Sequence, residues 1–125
     1  MTAQGEDILA YLERAIAKAE TTARNACHES AGQWNANGDG ASCSVQDDNG
    51  DVVVYDEGWP SPTQADHIAL NDPASVLRHC AADQKLIESL TAVINGDYID
   101  DGEPVLAERV LDLFAEGYGW TEGER

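Results

Sequence analysis

Basic residues are what this 125-residue sequence has least of: 7 Lys and Arg stand against 24 Asp and Glu, a formal net charge of −17. That shortage excludes a direct grip on a nucleic-acid backbone, which proteins hold with Lys and Arg. It equally excludes docking on anionic lipid. No apolar run approaches the roughly 20 residues that cross a bilayer. The polar, acidic start from Met1 to Asp7 is not the pattern of a signal peptide, so the expected location is cytoplasmic. Cysteine is scarce and odd in number. Cys27, Cys43 and Cys80 are too few and too scattered for a disulfide scaffold, and each reads as a small buried hydrophobe.

Metal and nucleotide signatures are missing as well. Cys27-His28 and His79-Cys80 are adjacent pairs, and neighbours on a helix point about 100° apart, so each pair offers one inward ligand at most. No C-x-x-C or H-x-x-x-H spacing accompanies them. The stretch Val45 to Asp56 resembles a calcium loop at Asp47, Asn49 and Gly50, but Val45 and Asp56 stand where the pattern needs Asp and Glu. Gly38-Asp39-Gly40 lacks the strand, helix and Lys of a phosphate loop. No cofactor and no metal site are expected.

What is present is ordinary in bulk and uneven in charge. Hydrophobic residues make up 42% and charged residues 25%, the composition of a globular domain. Residues 34–62 hold 6 acids and no base, and residues 97–125 hold 9 acids and 2 bases; these two segments carry most of the excess. Such a surplus serves solubility. It also suits mimicry, in which an acidic surface occupies a basic site that normally grips nucleic acid.

Along the chain, Ile8, Leu12, Ile16, Ala19, Ala23 and Cys27 recur at spacings of 3 and 4 and predict a helix from Gly5 to about Glu29. Residues 30–42 read as a loop or strand entry. Asn49-Gly50 between Cys43–Val45 and Val52–Tyr55 predicts a hairpin, which must pack on helices to be stable; Trp34 and Tyr55 are expected in that packing. After Gly58-Trp59-Pro60-Ser61-Pro62, Thr63 is expected to cap a short helix through Leu70. Asp72 and Pro73 open a long helix as N-cap and first residue, and Gly96 ends it. A last helix spans Glu103 to Gly117, expected to bury Leu106, Val110, Leu113 and Phe114. The fold class is α+β: three main helices plus a short helix packed on a small antiparallel β-hairpin sheet. Residues 1–117 form the expected single domain and 118–125 an acidic tail. Its core is expected from Ile8, Leu12, Ile16, Val53, Ile68, Val76, Leu77, Ile87, Leu90, Val110, Leu113 and Phe114.

The run Gln64-Ala65-Asp66-His67-Ile68-Ala69-Leu70-Asn71-Asp72-Pro73, followed by Val76-Leu77-Arg78, resembles a family of short actinobacterial and actinophage proteins known only as a domain of unknown function. Its hallmark resembles A-x-H-I-A-x-x-D-P-x-x-V-L-R, matched here from Ala65 to Arg78. The resemblance implies an origin in phage or prophage and an architecture, and it brings no catalytic residue. His67, inside the motif, is expected to close the bend between two helices by hydrogen bonding.

Two classes of function stand. The first is a non-enzymatic protein acting in the host cell by binding a host protein with a basic surface, without direct contact to nucleic acid or membrane. Its concrete version is a nucleic-acid mimic or an inhibitor of a defence or nucleic-acid-handling factor. The candidate acidic face comprises Asp47, Asp48, Asp51, Asp56, Glu57, Asp97, Asp100, Asp101 and Glu103, and the candidate aromatic contacts are Trp59 and Trp120. The alternative is a small metal-dependent enzyme or hydrolase using His67 or His79 with carboxylates such as Asp66 and Asp83. No catalytic residue is assigned.

Overall fold

The computed structural model describes residues 2–39, 42–58 and 60–121. In chain order the elements are α1 (Ala3–Cys27), β1 (Trp34–Asp39), β2 (Ser42–Asp47), β3 (Val52–Val54), a 3-10 turn at Asp56–Gly58, α2 (Pro62–Leu70), α3 (Pro73–Ile94) and α4 (Gly102–Gly117). The fold is α+β: among the described residues there are four helices and one antiparallel sheet in the order β1-β2-β3. The chain divides into two compact units: Met1–Lys18 with Cys80–Arg125, and Ala19–His79. Among the described residues no helix is long and apolar enough to cross a membrane.

The second unit is built on alternation. In a strand, side chains point to opposite faces every other residue, and on β2 this puts Cys43 and Val45 together in the core with Ala65 of α2. Trp34 and Ala36 of β1, Val54 of β3 and Ile68 of α2 pack against them. The Asn- and Gly-rich stretch 34–39, expected as a loop or strand entry, is a full strand. It pairs with β2 from Trp34 opposite Asp47 to Asp39 opposite Ser42, and its polar residues alternate with the two that reach the core. Tyr55 and Val53, expected in the packing, are exposed, because Val54 packs against the core and alternation turns its two neighbours to the other face.

Ser61, not Thr63, caps α2. Its hydroxyl accepts the Gln64 N–H while the Gln64 side chain accepts the Ser61 N–H, a reciprocal box that satisfies two otherwise unpaired donors, with Pro62 inside the first turn. Asp72 opens α3 as its pattern predicts, accepting the Ser75 N–H at 2.8 Å.

In the first unit, Ile8, Leu12 and Ile16 of α1 are buried, as their spacing predicts. Cys80 and Ile87 of α3 are buried too, and the Cys80 thiol lies 4.0 Å from the Ile16 carbonyl oxygen. On α4 the phase differs from expectation. The buried face is Ala107, Leu111 and Ala115, whereas Leu106 and Leu113 are 64% and 51% exposed. The helix turns Leu111 and two alanines inward and Leu106 and Leu113 out.

The tail is tied down as far as Trp120. Its N–H donates to the Ala115 carbonyl at 2.8 Å, the Gly119 N–H donates to Glu116 at 3.0 Å, and Gly119 sits at φ +98°. That is a Schellman ending with glycine in the left-handed position. Gly96 ends α3 in the same way, with Asp97 N–H donating to Ala92 and Gly96 N–H to Val93.

Candidate functional site

The nine acids of the expected face do different work. In the turn between β2 and β3, the Asp47 carboxylate accepts the N–H groups of Asn49 and Asp51, both at 2.9 Å. This is a side chain closing its own turn. Asp48 reaches back to the segment after α1 and accepts the N–H groups of Ala31 at 3.0 Å and Gln33 at 3.1 Å. Those bonds, Ala31 first, hold its carboxyl below the usual range although it is exposed to solvent. Asp51 and Glu57 are exposed, and Asp56 starts the 3-10 turn. All five belong to the second unit.

The other four belong to the first unit and all are exposed. Asp100 accepts the Gly102 N–H at 2.7 Å and Glu103 accepts the Ile99 N–H at 3.3 Å, so these two carboxylates shape the loop ahead of α4. Asp101 stands at the N-cap without a side-chain capping bond. Near a helix N-terminus the backbone dipole favours negative charge, which offsets part of the repulsion among four acids in seven residues. The same stretch exposes apolar surface: Ile99 is 99% exposed, and Val105 on α4 69%.

The aromatic pair divides. Trp120 is a correction: at 9% exposure it is a core residue, set edge-on to Tyr11 with centroids 5.1 Å apart, because the Schellman ending folds it back. Trp59 lies outside the described residues.

The histidines do not come together with other ligating groups. His67 is exposed on α2, and its carbonyl oxygen, rather than its imidazole, closes the α2–α3 bend by accepting the Asn71 N–H at 3.3 Å and the Asn71 side-chain amide at 2.9 Å. The residue lines an open groove of about 560 Å³ with Val54, Pro60 and Ile68. Asp66 beside it is exposed. His79 is exposed on α3, one turn before Asp83, whose carboxylate accepts the Tyr118 hydroxyl. Burial first, and then the Asp83 bond and charge, push the Tyr118 phenol above its ordinary value of 10.0. Among the described residues no three His, Cys, Asp or Glu side chains are placed to share a metal ion.

Two anchoring carboxylates went unread in the sequence. Besides capping α3, Asp72 accepts the Trp34 N–H at 3.0 Å and so fixes the start of β1; only its cap pattern was visible. The Asp83–Tyr118 bond spans 35 residues, and its one local signal is an aromatic hydroxyl in an acidic tail.

Comparison with known families places these residues in one frame: the model for DUF6221, a family of unknown function, matches residues 5–119. The chain belongs to that family. The match takes in every described element of the DUF6221 chain from the first turn of α1 to Gly119, including all nine acids of the candidate face and the Asp83–Tyr118 lock. Comparison with curated proteins and with solved structures gave no match.

Proposed function

We propose that this DUF6221 protein works by binding rather than by catalysis. It is an acidic accessory protein of phage or prophage origin that docks on a host protein with a basic surface. Its concrete role is to occupy, as a mimic or inhibitor, a site that a defence or nucleic-acid-handling factor uses for nucleic acid. The observation that carries this reading is the 97–103 segment, where four exposed carboxylates and an exposed Ile99 stand together without a base among them. A surface of one sign steers an oppositely charged partner over distance, and an apolar residue at its centre supplies contact once the partner arrives.

The test is capture from an actinobacterial lysate on immobilised full-length protein, with salt elution and a nucleic-acid competitor. The reading expects a captured protein that short DNA or RNA displaces and that elutes as salt rises. Retention indifferent to both salt and nucleic acid would count against it.

A further inference from the structure

Helix α4 presents two faces to different purposes. Its inner face, Ala107, Leu111 and Ala115, is buried. At 100° per residue, Val105, Leu106 and Leu113 lie together on the opposite side, and all three are more than half exposed. Leu106 and Leu113 are seven residues apart, two turns and about 10.5 Å along the axis. Single exposed hydrophobes are common, but contiguous ones rimmed by charge mark interaction sites. Here the rim is acidic: Glu103, Asp112 and Glu116 are exposed along the helix, and Asp97, Asp100 and Asp101 precede it. From 97 to 116 there are seven acids and a single base, Arg109.

From this geometry we infer that the outer stripe of α4 is a docking surface for an amphipathic, cationic helix of the partner protein. That helix sets apolar residues at i, i+3 or i+4 and i+7 against Val105, Leu106 and Leu113, and Lys or Arg against Glu103, Asp112 and Glu116, while Asp97, Asp100 and Asp101 ahead of the helix steer its approach. The inference rests on the binding reading above and specifies the surface and the shape of what it binds. The spacing of Leu106 and Leu113 is that of a helix lying along a helix. The charge selects the occupant. A second copy of this chain would bring six rim acids against six, with one Arg109 on each side, whereas a basic helix gains from every rim carboxylate. Arg109, exposed and midway between Val105 and Leu113 on the same face at 100° per residue, favours a partner helix with one acid or a neutral polar residue at the facing position.

The experiment titrates a fluorescent 18-residue helical peptide, with leucines at i, i+3 and i+7 and lysines on both flanks, against the full-length protein. The comparisons are a scrambled peptide of the same composition, the Leu106→Ser/Leu113→Ser variant and the Asp97→Asn/Asp100→Asn/Asp101→Asn variant. Because both leucines are exposed, the serine variant is expected to keep the wild-type melting curve. It is expected to lose about tenfold or more in affinity, and the scrambled peptide is expected to bind weakly. Binding that depends on salt and on the aspartates but is unchanged by the serine substitutions would overturn the stripe and leave the acidic reading standing. Binding that needs the leucines but ignores salt and the aspartates would overturn the acidic reading and, with it, a cationic occupant. Wild-type dimers in sedimentation at micromolar concentration that the serine variant abolishes would assign the stripe to a second copy, against this inference.

Discussion

At the residue scale, one buried carboxylate joins two elements of the second unit. Asp72 caps α3 through Ser75 and holds the first residue of β1 through Trp34. Burial works against its charge. The Trp34 and Ser75 N–H groups, the Ser75 hydroxyl and the field of Arg78 outweigh that and keep its carboxyl below the ordinary 3.8. A depressed folded-state value means stabilisation that is complete above the ordinary value and lost as pH falls through the lower, folded one. Asp72→Ala is expected to cost about 2–3 kcal/mol, from the lost cap and an unpaired Trp34 N–H, read as a shift in urea midpoint at pH 7. Asp72→Asn keeps a capping oxygen and should recover part of that loss while flattening the stability curve below about pH 4. Tyr118 shows the opposite sign. Its folded-state value lies above the ordinary 10.0, so its contribution is complete below pH 10 and is lost as pH rises through the higher value. Tyr118→Phe is expected to cost about 1–2 kcal/mol at neutral pH, leaving Asp83 without its donor, and to weaken the decline in stability above pH 10. Melting curves between pH 7 and 11 check both.

Elements show where local pattern was sufficient and where packing decided. The termini of α3 were legible because Asp-Pro and Gly act within one turn: Asp72 caps, Pro73 starts, Gly96 ends in the left-handed region at φ +125°. The 47–51 turn was legible for the same reason. The face of α4 was not. Both 106–110–113 and 107–111–115 have helical spacing, and spacing alone does not choose between them. Strand β1 was half legible, since Trp34 and Ala36 alternate but Asn and Gly have weak strand preference; pairing with β2 overrode it. Of the candidate site, the acids could be seen in the sequence. The division of labour among them could not, because Asp48 is bonded to Ala31 and Gln33 across 15–17 residues. Two glycines give a matched test of element-level geometry. Gly32 and Gly50 both have φ near +84°, but a Cβ on Gly50 would meet nothing within 4 Å. On Gly32 it would come within 2.7 Å of the Cys27 sulfur, 3.0 Å of the Pro73 Cβ and 3.2 Å of the Ala74 nitrogen. Gly50→Ala should therefore cost about 1 kcal/mol for backbone conformation alone. Gly32→Ala should cost more than about 2 kcal/mol, with the added clash. Equal losses for the two in chemical denaturation would remove the packing term.

On the scale of the whole molecule, the charge is shared almost evenly. The first unit holds 14 acids against 5 bases and the second 10 against 2. Each unit is strongly negative by itself, so steering of a basic partner does not require the two acidic segments to form a single face. Screening makes the nearest charges count most: at physiological salt the field falls off over about 8 Å. The three aspartates ahead of α4 should therefore act mainly on a partner that approaches that helix. Replacing Asp97, Asp100 and Asp101 by Asn removes three charges and keeps an oxygen at Asp100 for the Gly102 N–H. Folding stability should stay within about 0.5 kcal/mol of the parent, as relieved repulsion and the lost interaction with the helix N-terminus oppose each other. Association should slow, with a shallower dependence of the on-rate on ionic strength, while the off-rate stays close to that of the parent because contact at Leu106 and Leu113 is untouched. Stopped-flow binding of the cationic helical peptide at several salt concentrations separates the two rates. If the substitutions raised the off-rate and left the on-rate unchanged, these carboxylates would be making direct contacts in the complex rather than guiding its formation.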